Sequence, residues 1–157
     1  MVTGIPDIAA QAAAIKTSWS GFRMERVNER TALWDGTLRP FLLSYQVRIL
    51  YRVPTVIEQI DPFRQQPRVR VMSPPLRRRR HDAEGALPHV YWDDPNHPAL
   101  CLFDHETGEW TPCRLLAETT IPWALDWLGC YEGWRATGEW TGGGRHADQT
   151  IAEGSVP

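Results

Sequence analysis

Apolar residues recur along the first two dozen positions with the period of a helix. Ile8, Ala12, Ile15, Trp19 and Phe22 fall at i, i+4, i+7, i+11 and i+14, which puts them on one face. Gln11, Lys16, Ser20 and Arg23 take the other. Pro6 and Asp7 suit the helix start, since Pro needs no partner for a missing N–H and a carboxylate favours the positive end of the dipole. Gly21 weakens the far end. The period then changes to two. Leu43, Tyr45, Val47, Ile49, Tyr51 and Val53 alternate with Ser44, Gln46, Arg48, Leu50 and Arg52, the pattern of a strand with one buried face. Residues 32–38 predict an earlier strand, interrupted at Asp35-Gly36 by a bulge or a tight turn and ended by Pro40. Val69 and Val71 mark a third strand after a connector over residues 54–67. Loops this short leave no room for crossover helices, so an antiparallel meander is expected.

The second half of the chain is patterned differently. Residues 73–88 form an irregular polar insert containing Arg77, Arg78, Arg79 and Arg80. Residues 89–112 are a turn-rich loop in which Cys101 stands between Leu100 and Leu102. Residues 114–137 predict a helix, with Trp123, Trp127, Tyr131 and Trp134 at i, i+4, i+8 and i+11 and Leu128 beside them. That spacing is what burial against a sheet requires. Pro122 kinks this helix or begins a second one after Thr120. The run from Trp140 through three glycines to His146 breaks it. Residues 1–146 are read as one domain and 147–157 as a tail.

Composition narrows the classes. The 157 residues suit a single core, and a net charge of −2 gives no global attraction to nucleic acid or membrane. Three cysteines, 101, 113 and 130, form no CxxC pair, as in a reduced protein. No apolar run approaches the roughly 18 residues of a membrane span, and no signal-like segment opens the chain, so a cytoplasmic protein is expected. The arginine run reads either as a solvated loop or as a partner-binding element.

No phosphate loop and no dinucleotide fingerprint occur, so activation of a carboxylate with ATP is not expected of this chain alone. His97, Cys101 and His105 recur every fourth residue, but such spacing converges on a metal only in a helix, which Pro98 opposes. No metal and no cofactor are expected. Cys101 remains as a nucleophile, with His89, His97, His105 and His146 as neighbours to be tested. The alternative for Leu100-Cys101-Leu102 is a buried strand whose cysteine is a small hydrophobe.

The order of elements and the loop around Cys101 resemble the ubiquitin-conjugating enzyme family. That fold runs from an N-terminal helix through an antiparallel meander to a His-Pro-Asn loop, a Cys-Leu step and a Trp-Ser-Pro step into a helix. Here the counterparts are His89-Val90-Tyr91, Leu100-Cys101-Leu102 and Trp110-Thr111-Pro112, with Pro67-Arg-Val-Arg-Val-Met-Ser-Pro74 similar to the strand before the His loop. The run from Thr119 to Leu128 and on to His146 is similar to the C-terminal signature of the bacterial branch found in CBASS antiphage operons. The resemblance covers most of residues 6–137 and implies an α+β domain of the ubiquitin-conjugating-enzyme (UBC) type.

It also implies acyl transfer, with Cys101 taking the C-terminal carboxyl of a cGAS-like nucleotidyltransferase as a thioester. In some versions an adenylating enzyme charges the cysteine first, and in short operons the conjugating protein stands alone. His89 is then expected to order the loop, Asn96 to support the oxyanion and His97 to assist. Arg77 to Arg80 would hold the partner, with no membrane and no nucleic acid involved. The chain departs from the family pattern in carrying Val90 and Tyr91 where Pro and Asn stand, and in a longer stretch between His89 and Cys101. A silent binding module on the same fold, and a nucleic-acid-binding module using the arginines, are the other readings.

Overall fold

The computed structural model describes residues 4–58, 66–79, 87–104 and 106–142. Arg80, His105, His146 and the expected tail over 147–157 lie outside the described residues. Helix α1 (Ile8–Ser18) starts where the sequence indicates, with Asp7 Oδ1 accepting from the Ala10 N–H at 2.8 Å. It ends four residues before Phe22, because the Trp19 indole N–H turns away to donate to the Ala117 carbonyl at 2.9 Å. Gln11, expected on the polar face, is 0% exposed. Its amide donates to the Arg114 carbonyl and accepts from the Leu116 N–H. An unbonded buried amide costs roughly 1–3 kcal/mol; both ends of this one are bonded, so it docks α1 rather than destabilising it.

Among the described residues six strands follow: β1 (Arg23–Arg26), β2 (Thr31–Leu38), β3 (Tyr45–Arg52), β4 (Arg68–Ser73), β5 (Val90–Tyr91) and β6 (Ala99–Leu100). They form one sheet in the order β1-β2-β3-β4-β6-β5, with every neighbouring pair antiparallel. The expected meander is present and longer by β1, an exposed and charged edge strand of the kind that discourages further pairing. Asp35 and Gly36 do not interrupt β2. They pair with Arg48 and Val47 in an unbroken ladder. Glycine is required at position 36 because the Phe22 ring lies on it, 2.5 Å from where a Cβ would stand.

Residues 114–119 were expected to be helical and instead form turns, their carbonyls and N–H groups engaged by Gln11 and Trp19. Helix α2 (Thr120–Thr137) begins after them. Pro122 therefore falls in its first turn, where the missing N–H breaks no helical bond. Gly138 caps it at φ 84°. One buried cluster joins the inner residues of β2 to β4 (Trp34, Val47, Ile49, Val69) to Ile8 and Ile15 of α1 and to Ala124 and Leu128 of α2. This is an α+β fold of the UBC type, with the β5–β6 hairpin held between the end of the sheet and α2.

Candidate active site

The hairpin carries Cys101. Val90 pairs with Leu100 and Tyr91 with Ala99, and the Cys101 N–H donates to the His89 carbonyl at 2.9 Å, extending the ladder by one step. His89 is thus opposite Cys101. Tyr91, two residues further along the same strand, lies on the same face as His89 and diagonal to Cys101, a separation that an aromatic side chain spans. Its hydroxyl sits 3.1 Å from Cys101 Sγ. The Phe103 carbonyl oxygen lies 3.9 Å from the sulfur.

His89 has φ 56°, a left-handed conformation that costs a non-glycine residue roughly 1–2 kcal/mol. The turn aims its carbonyl at two donors, the Cys101 N–H and the Trp127 indole N–H, the latter at 2.9 Å. Its ring packs on Trp140 at 4.6 Å between centroids, and Trp140 in turn meets Trp127. The residue beside the cysteine is thereby tied to α2 through backbone and ring together.

At the tip of the hairpin, Asp93 is bonded by Arg70 and Arg68 and accepts from the Ala99 N–H. These bonds, Arg70 first, hold its carboxyl well below the usual carboxylate range. Asp94 accepts from the backbone N–H groups of Asn96 and His97, and Arg70 reaches the His97 carbonyl at 2.6 Å. Asn96 and His97 therefore sit at the pinned tip, and neither lines the cleft onto which Cys101 opens.

That cleft, about 790 Å³, runs between α2 and the residues preceding β3, with Phe41, Trp123, Asp126, Trp127 and Thr141 in its walls. Cys101, at 1% exposure, forms part of its floor. Trp123, expected in the core, is only partly buried and stacks obliquely on Phe103 in the cleft wall, while Trp127, Tyr131 and Trp134 are buried. Cys130 lines the same cleft, and burial and then the Asp126 charge push its thiol above the ordinary value, which lowers its thiolate fraction. Cys113 is exposed elsewhere. Among the described residues no group of three or more His, Cys, Asp or Glu side chains could hold a metal.

Proximity in sequence places the arginine run beside Cys101, but in space Arg77, Arg78 and Arg79 lie along the C-terminal half of α2. The Tyr131 hydroxyl accepts from the Arg77 N–H at 2.8 Å, and Arg135 donates to the Arg78 carbonyl. The Arg78 guanidinium covers Trp92, and Arg79 lies over Gly138. Arg77 and Arg135 edge a second groove of about 580 Å³ with Leu42, Leu43 and Phe41. Phe41 belongs to both clefts. Tyr91 and Trp127 are the residues that sequence reasoning passed over. The pairing of 89–91 with 99–101, from which the Tyr91–Cys101 diagonal follows, leaves no signal in the sequence.

Fold and cleft define a protein of the ubiquitin-conjugating class. The family model described as Type II CBASS E2 protein matches residues 11–147, and the chain belongs to that family. Membership gives it an E2-like role in CBASS antiphage defence, with a partner inside that system. The comparison with curated proteins gives no match. Among the described residues no helix is long and apolar enough to cross a membrane.

Proposed function

We propose that Cys101 accepts the C-terminal acyl group of a partner protein as a thioester, the partner being a cGAS-like nucleotidyltransferase of the same defence system. The acyl group arrives activated from an adenylating enzyme, as an adenylate or as that enzyme's own thioester. The Cys101 thiolate attacks its carbonyl, and AMP or a thiol leaves. The observation that carries this reading is the position of Cys101, at the end of β6 and on the floor of a cleft walled by α2, in a chain of E2 family membership. His89 orders this loop by accepting from Cys101 and Trp127. The arginines at 77–80 form the docking element for the partner. The exposed Phe41, Leu42 and Leu43 extend that element toward the cleft.

Co-expression with the nucleotidyltransferase and its adenylating enzyme, followed by non-reducing gels, tests the reading. A thiol-labile adduct is expected that disappears in Cys101→Ala and persists in Cys113→Ala and Cys130→Ala. An adduct that depends on Cys113 or Cys130 instead overturns it.

The burial of Cys101 favours a second reading, a binding module whose cysteine is structural. Iodoacetamide separates the two. A module protects Cys101 from alkylation until the protein unfolds, whereas an acyl acceptor is alkylated in the folded state.

A further inference from the structure

Two hollows of opposite charge meet at Phe41. The cleft above Cys101 is lined by Glu109 and Asp126 and, among the described residues, by no cation. The groove on the other side of Phe41 is edged by Arg77 and Arg135. Its lining carboxylate, Glu132, accepts from the buried Tyr45 hydroxyl at 2.9 Å. The loop before β3 forms the apolar wall. Arg39 donates to the Phe41 carbonyl at 3.1 Å, and the Phe41 ring rests on α2 at Gly129. Phe41, Leu42 and Leu43 are nevertheless 64%, 83% and 57% exposed. Consecutive large apolar side chains at the lip of a groove go beyond the scattered exposure that is ordinary on a protein surface. The nearby guanidinium groups are uncompensated as well. Arg48, Arg52, Arg68 and Arg70 on the sheet each pair with a carboxylate, whereas among the described residues none pairs with Arg77, Arg78 or Arg135.

We infer that this groove docks a segment of the acyl donor in which large apolar residues are flanked by carboxylates, upstream of the C-terminus that reaches Cys101. The inference rests on the acyl-acceptor role proposed for that cysteine and names the chemistry of its partner. The apolar residues cover Leu42 and Leu43 and sit on Tyr45, Tyr131 and Pro74, where removal of apolar surface from water drives association. The flanking carboxylates meet Arg77 and Arg135. Arginine suits that task because its planar fork offers several donors, and the Arg78 carbonyl engages only part of the Arg135 set. The Arg77 backbone N–H donates to the Tyr131 hydroxyl, so this stretch of chain is seated on α2 before a partner arrives. Glu109 and Asp126 impose the opposite rule in the cleft. Carboxylates entering there would meet like charge, so the donor's last residues are uncharged or basic. A segment that is acidic upstream and free of carboxylates near its end fits the two hollows in one direction only. An anionic membrane fits less well, since the surface is concave and Glu132 lies within it.

The test measures docking apart from transfer. The full chain carrying Cys101→Ala, which forms no thioester at that position, is titrated against the intact cGAS-like nucleotidyltransferase by biolayer interferometry. Adding Leu42→Glu with Leu43→Glu, or Arg77→Glu with Arg135→Glu, is expected to weaken binding by about 10- to 100-fold. The arginine pair should also remove most of the salt dependence of association. Leu42→p-benzoylphenylalanine is expected to cross-link on irradiation to a partner segment in which carboxylates flank apolar residues, upstream of its last residues. Unweakened binding in both double variants, no measurable binding before they are introduced, or a cross-link confined to a basic or uncharged surface overturns the inference. So does loss of phosphatidylserine-vesicle binding, or of a dimer, in the leucine variant while the nucleotidyltransferase still binds, since the groove then serves a membrane or a second copy. In each of these cases a Cys101-dependent adduct in the wild-type chain keeps the acyl-acceptor reading intact. Groove-dependent binding by a chain whose Cys101 forms no adduct overturns that reading and leaves the docking groove standing.

Discussion

Strands β2 and β3 pair over eight residues, from Thr31 opposite Arg52 to Leu38 opposite Tyr45, whereas β5 and β6 pair over two. The inner face of the long pair is apolar and buried, with Trp34, Val47 and Ile49 at 1% exposure or less. The hairpin buries Val90, Ala99 and Leu100 and is pinned besides by a few polar contacts: Asp93 to Arg68 and Arg70 at its tip, and the His89 carbonyl to Cys101 and Trp127 at its base. Burial is additive and non-directional, so the meander tolerates the loss of any one contact as a fraction of its total. A hairpin with few bonds opens locally when one is removed. The proposed nucleophile, Cys101, thereby adjoins a pairing of two residues rather than eight.

Substitution in the meander is expected to have the largest effect. Ile49→Ala should cost about 2–5 kcal/mol of global stability, read by urea denaturation, and should leave the hairpin amides exchanging no faster than the rest of the core. A loss below about 1 kcal/mol there would remove the contrast between the two regions.

Trp127→Phe keeps a ring in place and deletes the N–H that holds His89. A loss of about 1–2 kcal/mol is expected. In native-state hydrogen exchange the Cys101 amide should then exchange about 5- to 30-fold faster, with the amides of β2 and β3 following only the smaller global change. Uniform acceleration across the sheet would mean that the hairpin opens only with the domain.

The smallest effect is expected from Asp93→Asn, because this group is partly exposed and solvent screens its ion pairs. A loss on the order of 1 kcal/mol is expected at neutral pH. The folded carboxyl titrates below its unfolded value, so its contribution is complete above the unfolded value of about 3.9 and is lost as pH falls through the folded one. The difference between Asp93→Asn and wild type should therefore shrink as the pH is taken below about 4. A difference that stays constant from pH 7 to pH 3 would show the carboxylate charge to be irrelevant to the hairpin.

Legibility in the sequence follows the same division. Strand β3 is readable because alternation at residues 45–52 is a local property imposed by one buried face. The start of α1 at Asp7 and the aromatic stripe of α2 are readable from equally local patterns. Residues whose role depends on a distant partner were misread. Gln11 looks like a surface polar residue until the turn at 114–116 meets both ends of its amide. Asp35-Gly36 has the composition of a turn until the Phe22 ring explains the glycine.

What the chain determines by itself is the set of periodic segments, the single reactive-looking loop and the family to which those belong. These are carried by hydrophobic spacing and short motifs, which act over a few residues. Pairing across the sheet is decided only in three dimensions. Strands β1, β5 and β6 are too short or too polar to announce themselves, and their partners are named only when the ladder closes. The Tyr91 hydroxyl meets Cys101 Sγ only because of the β5–β6 register. A slip of one residue would turn Tyr91 to the opposite face, and no local pattern in this stretch records which register is chosen.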